Sequence, residues 1–81
     1  MAAHGALGVA LPSLKAKRVD AALRQTELAE RAQVARATIQ RAERGENVSL
    51  VNARRLAEAL NVTVEQLRAS APGDGASSSR T

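Results

Sequence analysis

LRQTELAERAQVARATIQRAERG, residues 23–45, decides how this 81-residue chain folds. In Gln25–Ala32 the apolar Leu28, Ala29 and Ala32 recur at helical spacing. In Arg36–Arg44 Ile39 and Ala42 do the same, and the stretch stops at Gly45, a residue type favoured just past a helix end. Only Gln33, Val34 and Ala35 separate the two. A connector that short makes two helices cross steeply, as in a helix-turn-helix unit. A close crossing needs a small residue on the first helix, and Ala29 fits. It also needs apolar plugs at the turn and on the second helix, which Val34, Ile39 and Ala42 supply.

The opposite side of the second of these helices carries the chemistry. At 100° per residue, with Ile39, Ala42 and Glu43 inside, the outward residues are Arg36, Ala37, Gln40, Arg41 and Arg44. That side has three arginines, a glutamine and no acid. Arginine matches the O6 and N7 acceptors of guanine, glutamine matches N6 and N7 of adenine, and a small alanine can touch a thymine methyl. An arginine-rich helix alone is a solvated face; following this turn, it points to base reading.

Outward from this segment the helical pattern continues. Pro12 suits a first helical turn, and a helix from Pro12 to about Ala22 is expected, with Leu11, Leu14, Arg18 and Ala21 on one stripe. Ser49 is a good N-cap for a helix burying Leu50, Ala53, Leu56, Ala57 and Leu60. Thr63 and Gln66 form a capping box for a last helix whose apolar residues are Val64 and Leu67, with Val62 as staple. Residues 1–11 read as a flexible arm, residues 12–69 as one domain and residues 70–81 as a disordered tail.

Composition agrees with an all-α reading. The chain has no Cys, Phe, Tyr or Trp, so its core is Leu, Val and Ala with Ile39; the aromatics that strands favour are missing. A core of this size is marginal. Ten of the twelve basic residues are arginine and the formal net charge is +4, which suits phosphate contacts but also suits an arginine-rich surface of any kind. The single histidine, His4, lies in the arm, so neither a nucleophile–base pair nor an all-protein metal cluster can be built around it. No enzyme activity, cofactor or metal is expected. No apolar run nears the ~20 residues of a membrane span, no secretory signal is read in Met1–Leu11, and a cytoplasmic protein is expected.

From Leu14 to Leu67 the chain resembles the phage repressor and Cro-like (Xre-type) helix-turn-helix family. QTELAERA, RATIQRAERG and SLVNARRLAEALNVTVEQL carry the likeness. It implies a compact five-helix, lambda-repressor-like domain and a sequence-specific transcriptional regulator, with the helix 36–44 in the major groove of double-stranded DNA. It also implies an ion pair between Arg18 and Glu43, both on inward faces by periodicity; a charge on an apolar stripe needs a partner or must snorkel to solvent. By the resemblance, Arg36, Ala37, Gln40 and Arg41 read bases. Gln25, Thr38, Arg44 and Asn47 touch phosphate, and the Gln25 amide opens a helix N-terminus suited to anions. A homodimer is expected, with a contact near the last helix, where Val62, Val64 and Leu67 exceed what so short a helix can bury alone. The alternative is an antitoxin or adaptor whose main partner is another protein, such as a toxin or polymerase.

The chain departs from the family pattern at several positions. Gln33 replaces the turn glycine, and a left-handed backbone there costs roughly 1–2 kcal/mol. Arg24 and Ala35 replace Ser or Thr caps, each at a cost of about 1 kcal/mol. Ala32 and Ala42 fill the core lightly. A marginal domain, or one supported by a second copy, is expected.

Overall fold

The computed structural model of the chain describes residues 8–69. The elements are β1 (Gly8–Val9), α1 (Leu14–Asp20), α2 (Gln25–Ala32), α3 (Arg36–Glu43), β2 (Val48–Ser49), α4 (Leu50–Leu60) and α5 (Val64–Arg68). The five helices surround one core in which Leu11, Leu14, Leu28, Ile39, Leu56 and Leu67 are fully buried. α2 packs chiefly on α4, and α3 packs across α2 and α1. No helix among the described residues is long and apolar enough to cross a membrane.

The one addition to the all-helical expectation is a two-residue antiparallel pairing, Gly8 opposite Ser49 and Val9 opposite Val48. It extends the packed domain back to Gly8, which corrects the expected boundary at residue 12. Leu11, assigned to the arm, has no exposed surface. Asn47 Cβ would stand 3.1 Å from a Cβ added at Gly8, so the two chains approach closely there. The rest of the arm and the tail, residues 1–7 and 70–81, lie outside the described residues.

α1 starts later than Pro12 because the chain turns first. Leu14 N donates to Leu11 O at 3.0 Å. Ser13, 1% exposed, does not cap α1 with its side chain; its hydroxyl donates to Ala69 O at 2.5 Å. The Ser13 amide donates to Leu67 O at 3.0 Å. The start of α1 is thereby fastened to the end of α5, and both backbone carbonyls at that helix end are satisfied. α4 and α5 open as read: Asn52 N donates to Ser49 Oγ at 3.1 Å, and Thr63 and Gln66 exchange bonds of 2.8 and 3.0 Å.

Four helices end in one motif, with a left-handed residue just past the helix. That residue is Ala22 after α1, Gln33 after α2, Gly45 after α3 and Asn61 after α4, with φ of 60°, 61°, 95° and 61°. In each, the following amide reaches back five residues: Leu23 to Arg18 O, Val34 to Ala29 O, Glu46 to Arg41 O and Val62 to Ala57 O, at 2.9–3.2 Å. This is the Schellman pattern, which satisfies orphan carbonyls and turns the chain sharply. It explains why α1 stops at Asp20 and leaves Ala21 exposed, against the expectation that Ala21 is inside. Glycine and asparagine tolerate this conformation; alanine and glutamine pay for their Cβ.

Two further apolar residues differ from expectation. Leu50, at the solvent-facing start of α4, is 40% exposed. Leu67 is buried in the domain's own core, and Val62 and Val64 pack against that core. The apolar side of α5 is therefore partly covered by its own chain. The large apolar residues left exposed are Val19, Leu50 and Val51.

Two of the left-handed positions yield a stability test. Ala22→Gly and Gln33→Gly should each stabilise the domain by roughly 1 kcal/mol, raising the midpoint of thermal denaturation by about 4–8 °C. Gly45→Ala should lower it, although its Cβ would meet nothing within 4 Å. Circular dichroism melts of the three variants decide this; a lower midpoint for both glycine variants would contradict it.

Candidate nucleic-acid interface

α3 is amphipathic in the literal sense that one side is dry. Ile39 and Ala42 are 0% and 1% exposed. On the other side Arg36, Ala37, Arg41 and Arg44 are exposed and Gln40 is half-buried. No acid of α3 faces outward, because its only carboxylate, Glu43, turns in and retains 8% of its side-chain exposure. Thr38 departs from expectation. It is 7% exposed, since it lies one turn before Ala42 and shares its inner stripe. At that burial it offers little surface to a phosphate, the contact expected of it.

Arg18 and Glu43 meet across α1 and α3. Arg18 Nε donates to Glu43 Oε2 at 2.6 Å and Nη2 to Oε1 at 3.2 Å, a two-pronged pair. Arg18 Nη1 donates to Leu23 O at 2.8 Å, just beyond the end of α1. The Arg18 side chain is 13% exposed, so it is paired inside rather than snorkelling. The sequence reading missed the third member of this cluster. Gln25 Nε2 donates to Glu43 Oε1 at 3.0 Å. Expected to face the DNA backbone, Gln25 instead has a side-chain donor committed inward, and it joins the start of α2 to the end of α3.

The short connector carries a second contact that sequence did not reveal. Arg55 Nη1, from α4, donates to Gln33 O at 3.0 Å. A cation at a helix C-terminus is favourable both as a donor and against the helix dipole. At the start of α2, Arg24 N donates to Glu27 Oε1 at 2.8 Å. The Arg24 side chain holds only donors, so it cannot accept an amide in return. Ala35 gives α3 no side-chain cap.

Around α3 the surface has two shallow clefts. One is lined by Arg18, Arg24, Gln25, Thr26 and Arg36. The other is lined by Lys15, Gln25, Gln40, Glu43 and Arg44. Arg44 leans on Glu46 at 3.2 Å, but both side chains are more than half exposed, and such a pair holds little energy. Asn47 is exposed beyond the end of α3. Lys15 and Thr26 had not been singled out, and Arg24 only as a cap position; Lys15 precedes Arg18 by three residues, which puts both on neighbouring rows of α1. No group of three or more His, Cys, Asp or Glu gathers among the described residues.

Comparison with known proteins places these features in a family. A model described as helix-turn-helix matches residues 14–67. No curated protein matches the chain. Among solved structures, a hypothetical transcription factor from Neisseria is similar, with 28% sequence identity and a TM-score of 0.66. The match covers 84% of this chain and 76% of that one.

The ion pair should be expensive to break singly. Arg18→Ala or Glu43→Ala should each cost about 3–5 kcal/mol, because each strands a nearly buried charge. The double variant Arg18→Met, Glu43→Leu should lose much less than the sum of the singles. Urea titrations of the variants measure this; additive losses would mean that the two side chains act independently.

Proposed function

The chain belongs to the helix-turn-helix family, and on that premise we propose that it is a transcriptional regulator that recognises specific sequences in double-stranded DNA, with α3 in the major groove. The observation that carries the reading is the two-sidedness of α3. Ile39 and Ala42 hold one side in the core while Arg36, Ala37, Gln40 and Arg41 line the other. A major groove admits one helix and displays a distinct donor and acceptor pattern for each base pair. Arg36 and Arg41 are suited to guanine, Gln40 to adenine and Ala37 to a thymine methyl.

The remaining roles follow from position. Arg44 and Asn47 lie past the last base-reading residue, where a helix leaving the groove meets the backbone. The first turn of α2 offers the Gln25 amide to a phosphate, while its side chain stays on Glu43. Phosphate contacts of this kind fix register and affinity, not sequence. The similarity to a hypothetical transcription factor supports the regulatory half of the reading. Binding as a homodimer requires two copies of α3 on half-sites about 34–36 Å apart. Among the described residues the large apolar side chains exposed to join two copies are Val19, Leu50 and Val51, with the partly buried Val62 and Val64 near α5.

Selection from random duplex DNA with the purified protein tests the proposal. Enrichment of a defined site is expected, with affinity falling steeply with salt. On that site Arg41→Ala should cost about 1–3 kcal/mol and relax preference at one base position. A protein that enriches no sequence, or an Arg41→Ala variant with unaltered preference, would favour an adaptor or antitoxin whose partner is another protein.

A further inference from the structure

Resting on the reading of α3 as the DNA-facing helix, we propose that Lys15 of α1 is a further DNA-binding residue, which holds a backbone phosphate in the cleft it shares with Gln25, Gln40 and Arg44. Three helices meet at this cleft: Lys15 comes from α1, Gln25 from α2, and Gln40 and Arg44 from α3. It adjoins the base-reading residue Gln40, so a strand running along α3 passes over it.

The charge of the cleft favours an anion once its one carboxylate is accounted for. Glu43 lines the cleft, but it accepts from Arg18 Nε and Nη2 and from Gln25 Nε2. Its side chain is 8% exposed, and Arg18 neutralises it. Lys15 is exposed and, among the described residues, has no ion-pair partner. Arg44 is held only by the exposed Glu46, a pair weak enough to open for a phosphate. Lys15 and Arg44 bring two cations to the cleft, of which Glu46 offsets one, so the net charge offered is positive.

Gln25 gives part of its donor capacity to the fold: one N–H of its side-chain amide bonds Glu43 at 3.0 Å, which leaves one N–H and no positive charge for a phosphate at the start of α2. Lys15 supplies the donor and the charge from the facing helix. On its other side Lys15 borders a largely apolar groove with Pro12, Ala16 and Val19, closed by Asp20 and by the Glu43 already paired with Arg18. That groove suits its methylene stem and leaves the ammonium to the polar cleft.

The test compares Lys15→Gln, Lys15→Arg and Lys17→Gln with the unmodified protein on its selected duplex, across a salt series. Lys17 lies on α1 about 200° round from Lys15, so it controls for loss of charge alone. Lys15→Gln should lower the log–log salt slope by about 0.9 and weaken binding equally on all sequences, with the ranking of bases unchanged. Lys15→Arg should retain the slope, and Lys17→Gln should alter it little. The two Lys15 variants should melt like the parent, since Lys15 is exposed. Equal slopes for Lys15→Gln and the parent, or equal losses for Lys15→Gln and Lys17→Gln, would overturn the assignment and leave the role of α3 intact. An unmodified protein that selects no duplex would remove both.

Discussion

The bond between Arg18 and Glu43 is the constraint on which the interface depends. It spans α1 and α3 with two donors on one carboxylate. The same arginine takes the Leu23 carbonyl at the α1–α2 junction, and the same carboxylate takes Gln25 at the start of α2. One small cluster therefore fixes the relative orientation of three helices. It does so at the side of α3 where the dry stripe ends and the basic side begins. It also withdraws the only acid of α3 from the basic side of that helix. Burying two charges is not in itself stabilising; the return is a defined rotation of α3 about its axis, which determines which side chains look outward.

That rotation matters because the core is light. Ala29, Ala32, Ala42, Ala53 and Ala57 are all buried, and no aromatic side chain is present to fill space. Small residues permit close helix approach but specify rotation weakly, because alanines interlock poorly. Polar fasteners take up that task. Ser13 binds α1 to the end of α5, Arg55 closes the α2–α3 turn on α4, and the β1–β2 pairing holds the leading segment against the start of α4. The Schellman turns then set how each helix leaves its predecessor, even where alanine or glutamine must adopt the left-handed conformation.

Much of this was legible in the sequence, for reasons specific to each residue. The bounds of α2 follow from its apolar spacing, and α4 and α5 announce themselves through Ser49, Thr63 and Gln66, whose signals are local. Arg18 and Glu43 stood out because each is a charge on an apolar stripe. The β1–β2 pairing was not legible, since two residues have no period and Gly8 and Val9 look like any loop. Ala22 gave no sign of its left-handed backbone, because alanine carries a Cβ and lacks the local side-chain hydrogen bond that lets asparagine adopt it. The burial of Thr38 was not legible, because a threonine can sit on either edge of a narrow stripe. Gln25 reads as an outward residue until the Glu43 carboxylate is seen within its reach. Leu50 and Leu67 were weighed by hydrophobicity alone, whereas their burial is decided by which side of each helix the neighbours occupy.

The central claim is that α3 lies in the major groove with its Arg36, Ala37, Gln40 and Arg41 side toward the bases. Intermolecular nuclear Overhauser effects in a complex with the selected duplex test it most directly. The account predicts cross-peaks from the Ala37 methyl and the Arg41 side chain to major-groove protons, such as thymine methyls and cytosine H5. Cross-peaks arising only from other helices, with the amide signals of residues 36–44 unmoved by saturating duplex, would contradict it.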